Sequence, residues 1–149
     1  MNVRYFALVL GIIFLLVGIL GFVPGLTTMP ETHDHDLAVE GPGHGYPLGL
    51  FHVNVLHNLV HLLFGVWGII AYRTFDGSRV YSRGVAVIYG LLTIMGLIPG
   101  LNTVFGLVPI HGHDVWLHLL IAAAAAYFGW AAAPVTTTTA TTPATDVRP

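Results

Sequence analysis

Four apolar runs, 5–26, 50–72, 84–101 and 114–133, leave this chain very little choice of environment. In lipid every backbone polar group must be satisfied inside the protein, and a run of about 20 apolar residues achieves this as a helix crossing the bilayer. The first run is 22 residues long, enough at about 1.5 Å per residue to span a hydrocarbon core of about 30 Å. Composition agrees, since 55% of the 149 residues are hydrophobic and 8% charged, with a mean hydropathy of +0.78. Ordinary soluble domains carry about three times that share of charge. The expected fold is all-α, a four-transmembrane-helix bundle whose first partner is the lipid bilayer.

Charge sets the expected orientation. Arg4, Arg73, Arg79, Arg83 and Arg148 fall on one side of a four-span layout, whereas Glu31, Asp34, Asp36, Glu40 and Asp114 fall on the other. By the positive-inside rule both termini and the middle loop are cytoplasmic, and the outer loop 27–49 faces outward. No A-x-A-like cleavage site follows the first run, which favours an anchor over a cleaved signal. The segment 73–83, with Asp76-Gly77 at its centre, reads as a turn-like connection, and 102–110 as an apolar linker with Gly106 and Pro109. Pro134 ends the fourth run, and the Thr-rich remainder, 134–149, reads as disordered. A net charge of −2 gives no basic field, so nucleic acid is not an expected partner, and nothing specifies a protein partner.

An internal echo divides the membrane domain 1–133 in two. Ile19-Leu20-Gly21-Phe22-Val23-Pro24-Gly25-Leu26 closes the first span, and Ile94-Met95-Gly96-Leu97-Ile98-Pro99-Gly100-Leu101 closes the third. His57-Asn58-Leu59-Val60-His61-Leu62-Leu63 sets beside Asp114-Val115-Trp116-Leu117-His118-Leu119-Leu120, pairing His57 with Asp114 and His61 with His118. Two similar helical hairpins related by an axis along the membrane normal account for the echo.

The chemistry is concentrated in the second and fourth spans. Asn54, His57, Asn58 and His61 recur at i, i+3, i+4 and i+7, so on a helix they form one polar stripe. Gly65 and Gly68 continue that face, and Ala122, Ala125 and Gly129 continue the face of His118. Small residues let helices approach closely in lipid, so the stripes are expected to point inward. His57, His61, Asp114 and His118 then offer three nitrogens and a carboxylate, the donor set of zinc, iron, manganese or nickel. The absence of cysteine excludes thiolate chemistry, and three methionines argue against a copper(I) carrier.

Other readings stand beside this one. His61 and His118 could serve as the axial pair of a b-type haem between two helices. The quartet could also relay protons or ions, or act only as interhelical polar glue in a non-catalytic bundle. His33-Asp34-His35-Asp36, His44, His52 and His111-Gly112-His113 read as a solvated face able to recruit a cation weakly. Trp67, Trp116 and Trp130 read as interface anchors or packing residues, and Tyr89 and Thr93 as donors to the cluster or plain packing. No nucleophile-and-base pair or phosphate loop is legible, so no reaction is assigned.

The Asn-x-x-His-Asn-x-x-His core within 54–65, Phe105-Gly106-Leu107-Val108-Pro109, and Asp114-Val115-Trp116-Leu117-His118 together resemble the small bacterial four-helix membrane proteins catalogued as domain of unknown function 4383. The resemblance covers residues 5–133. It implies a four-span protein of the bacterial plasma membrane in which the positions of His61 and His118 are typical, and it supplies no activity or cofactor. The His- and Asp-rich segment 32–44 departs from the family pattern.

Overall fold

The computed structural model describes residues 2–23, 25–28, 43–47, 49, 51–110 and 112–131. His33, Asp34, His35, Asp36, His111 and the Thr-rich tail lie outside the described residues. The architecture is helical: α1 (Val3–Leu20), α2 (Val55–Ala71), α3 (Phe75–Leu97) and α4 (His113–Ala126), which runs into a π-helical turn at Tyr127–Ala131. One short antiparallel ladder, β1 (Thr27–Thr28) with β2 (Tyr46–Pro47), lies in the first loop, where two-residue strands leave no period to read.

Three of these helices, Val3–Leu20, Phe75–Leu97 and His113–Ala131, are long and apolar enough to cross a membrane. At 17 residues, α2 is apolar but shorter than the expected second span, because the carboxamide of Asn54 starts it late. The Asn54 Oδ1 accepts the His57 backbone N–H at 2.8 Å, which caps the helix. The expected connection over 73–83 is not a loop. Thr74 caps α3 by accepting the Gly77 N–H at 3.1 Å, and Asp76-Gly77 forms the first turn of that helix. Asp76 suits this place, where a negative charge meets the positive end of the helix dipole.

The exterior is apolar, and polar residues lie buried beside an apolar core. Leu63 and Leu120 are 70% and 67% exposed, and Ile70, Leu91, Leu97 and Trp116 also face outward. Inside lie His57, Asn58, His61, Ser78, Ser82, Thr93, Asp114 and His118. Water does not tolerate so continuous an apolar exterior, whereas a bilayer does.

Helix α1 packs chiefly on α2, and α3 chiefly on α4, with α3 also touching α1 and α2. The α1–α2 crossing is held close by glycine, since a Cβ on Gly68 would stand 2.8 Å from the Ala7 carbonyl and 2.9 Å from the Gly11 Cα. At the end of the bundle remote from the histidines, arginines reach carbonyls left over at helix ends. Arg4 donates from Nε to Tyr72 O at 2.9 Å and from Nη2 to Arg73 O at 3.1 Å. Arg79 and Arg83 both donate from Nε to Gly129 O, at 3.3 Å and 2.9 Å, in the π-helical turn whose carbonyl register is shifted.

Candidate metal centre

The polar stripe of α2 faces the interior, as its spacing predicts. Asn54, His57, Asn58 and His61 are all buried. Asn54 stands one residue before the helix, and its Nδ2 donates to Leu107 O at 2.8 Å, tying the start of α2 to the loop between α3 and α4. That loop turns sharply, with Val104 (φ 47°), Phe105 (φ 59°) and Gly106 (φ 84°) all left-handed. It folds back so that Ile110 is buried, its N–H donating to Asn102 O at 2.7 Å. The expectation of a simple linker missed this cover.

His57 and His61 lie one turn apart on α2, and His118 faces them from α4. One ligand atom from each of the three lies within 4.8 Å of the others. The His57 ring is 4.6 Å from that of His61 and 6.3 Å from that of His118, between centroids. A tetrahedral zinc site with Zn–N of about 2.0–2.1 Å separates its nitrogens by about 3.3 Å, so modest ring rotations would close the trio on an ion.

The surroundings fix the rings. Phe14 stacks on His61 with centroids 5.5 Å apart, and Tyr89 meets His118 edge-on at 4.9 Å. The Thr93 hydroxyl donates to the carbonyl of Tyr89 in its own helix at 2.8 Å, so Thr93 serves the backbone of α3. His57 Nδ1 lies 3.2 Å from the His52 carbonyl oxygen. Since a carbonyl only accepts, Nδ1 carries the proton and Nε2 keeps its lone pair, the tautomer that metal-ligating histidines adopt with a carbonyl behind them. His61 Nδ1 and His118 Nδ1 are buried with no hydrogen-bond partner among the described residues.

Asp114 stands outside the group of converging ligand atoms. Its Oδ2 accepts the His52 backbone N–H at 3.3 Å, and it borders the same cavity as the three histidines. His52 was expected on a solvated face, yet it is buried, with Tyr46 stacked on its ring at 4.8 Å and His44 edge-on at 4.3 Å. The ladder β1–β2 and the Gly45–Val53 bridge bring this aromatic group over the trio. Sequence gave no sign of that role, because it depends on pairings between single residues.

Two cavities meet at the trio. One, of about 170 Å³, lies beneath the α3–α4 loop against Val60, Ile88, Leu92 and Val108. The other, of about 190 Å³, lies between α1 and α4 and touches all three histidines and Asp114.

By its apolar exterior and its helix lengths, the chain is a helical protein with three helices long and apolar enough to cross a membrane. Residues 4–131 match the family described as Domain of unknown function (DUF4383), and the chain belongs to that family. No curated protein and no solved structure matches it.

Proposed function

We propose that the chain is a four-span protein of a bacterial inner membrane, built from two like hairpins, that holds a divalent transition metal on His57, His61 and His118. Zinc and iron suit an all-nitrogen set of this size. Asp114 supplies a nearby carboxylate to balance the charge of the ion. The convergence of three buried imidazoles, one of them locked in the ligating tautomer, carries the reading. Haem fits less well, since ligand atoms of all three histidines lie within 4.8 Å of one another and the flanking cavities hold only about 170 and 190 Å³. A structural role is favoured for Asn54 alone, whose carboxamide atoms are both spent on backbone partners.

Several correspondences support the repeat. A shift of 75 positions carries every buried residue of α3 onto a buried residue of α1, from Ser78 on Val3 to Thr93 on Gly18. A shift of 57 carries His118 onto His61 and Gly129 onto Tyr72. Under these shifts Tyr89 against His118 corresponds to Phe14 against His61. Arg79 on Gly129 O likewise corresponds to Arg4 on Tyr72 O. The same operation pairs Asn58, packed beneath Gly21, with Val115, packed beneath Gly96. Asn58 has neither carboxamide atom hydrogen-bonded among the described residues. Asn58→Val is therefore expected to raise stability by about 1–2 kcal/mol, since an unsatisfied buried amide costs that much, as read by reversible unfolding in detergent. A loss of that size would show that the amide has a partner in the membrane.

Purified protein is expected to carry one zinc or iron per chain by elemental analysis. After stripping, added zinc at about 100 times its dissociation constant should stabilise the fold by about 2.7 kcal/mol. Metal-free protein with an unfolding midpoint indifferent to zinc, iron, manganese and nickel would overturn the proposal. For topology, the chain has no cysteine of its own, so Thr28→Cys and Asp76→Cys give clean labels at exposed positions. An impermeant thiol reagent should reach Cys at 28 in intact cells and Cys at 76 only after permeabilisation. The opposite pattern reverses the orientation.

A further inference from the structure

The cavity between α1 and α4 has a form that the binding of an ion does not use. Leu10, Ile13 and Val17 of α1 and Leu117 and Ile121 of α4 make its walls, and His61, His118 and Asp114 close its inner end. Ile13 is 47% and Leu117 37% exposed, so the walls on both helices reach the apolar exterior, while Pro47, Phe51 and Val53 of the first loop also line the cavity. An ion needs no such walls, and a water-soluble ligand entering between the two helices would have to cross lipid.

Size and chemistry narrow the occupant. A dry protein cavity of about 150 Å³ lined by aliphatic and aromatic side chains takes up benzene, and this one, at about 190 Å³, has room for one substituted six-membered ring. Its inner end is polar, and His118, 2% exposed, and His61, 8% exposed, each hold an Nδ1 with no partner among the described residues. A neutral imidazole carries one N–H, and where Nδ1 carries it that nitrogen donates a hydrogen bond whether or not an ion takes the other. Buried donors without acceptors are costly, and an oxygen on the ring would relieve that cost. Among the described residues no Lys or Arg lines the cavity, which speaks against a phosphate headgroup.

From these features we infer that the cavity is a lateral binding site for a lipid-soluble quinone, the ring oxygen meeting His61 and His118 and the hydrocarbon tail leaving between Ile13 and Leu117. The inference stands on the cavity and the orphan nitrogens and does not rest on a bound ion. The test uses the full chain in lipid nanodiscs and two probes, a decyl-substituted benzoquinone and decylbenzene, which has the tail and ring without the oxygens. The quinone should raise the unfolding midpoint saturably, with an apparent affinity at least about tenfold above that of decylbenzene, as expected for one or two buried hydrogen bonds. Ile13→Trp and Leu117→Trp, which fill the mouth from opposite walls, should each weaken quinone binding at least tenfold and leave metal content as in the unaltered protein. Equal response to both probes, no saturable response, or undiminished quinone binding in both folded variants would overturn the inference. Metal content is read separately, so a metal-free protein that still binds quinone refutes the ion alone.

Discussion

His118→Ala is expected to lower metal affinity by more than about 100-fold, because removing even an outer-shell partner of a metal ligand costs 10–100-fold. The consequence is large because His118 is the trio's only member from α4, facing two histidines on α2. Equilibrium dialysis against a chelator series with the stripped protein gives the measurement. His61→Ala should behave alike, and Asp114→Asn should cost only about 10–100-fold, as a neighbouring carboxylate. If Asp114→Asn costs as much as His118→Ala, the carboxylate moves off the His52 N–H to ligate the ion. If both histidine variants keep full affinity, the metal binds elsewhere.

The second large effect concerns the α1–α2 crossing. Gly68→Leu would drive a side chain into the Ala7 carbonyl, the Gly11 Cα and the Tyr81 ring, all within 2.9 Å of where its Cβ begins. Two of these neighbours are backbone and cannot rotate away, so the helices must part. The expected loss is about 3 kcal/mol, the upper end of ordinary overpacking costs, and since α2 carries two of the three histidines, metal affinity should fall too. Gly90→Leu is the control, because nothing lies within 4 Å of a Cβ there, and it should change stability by less than about 0.5 kcal/mol. Unfolding of both variants in mixed micelles is the measurement, and equal stability would show that the crossing is looser than the glycines indicate.

Helix content and the direction of the polar stripes were legible because both rest on local period: Asn54 to His61 at helical spacing, Gly65 and Gly68 below. His61 and His118, which the echo in the sequence sets side by side, lie together with His57. What misled was competition between local signals at the ends. Asp76-Gly77 looks like a turn, yet Thr74 two residues earlier is a stronger helix start. The cover over the site was hidden for another reason. It depends on His52, whose carbonyl holds His57 and whose N–H holds Asp114, and backbone groups of a loop carry no trace in the side-chain pattern. The same contact explains why Asp114 stands apart from the three converging histidines.

The arginine contacts at the far end have a mechanical meaning. Arg4 fastens α1 to the end of α2, and Arg79 and Arg83 fasten α3 to the end of α4, so each pair of helices is riveted where the chain is most basic. Helices α2 and α4 face each other at the opposite end through the rings of His57 and His118. Small rocking of one pair against the other would leave the His57–His61 distance fixed and change the distance of both to His118. The trio thus spans the two helix pairs like the jaws of a caliper, and an ion held there would fix their spacing.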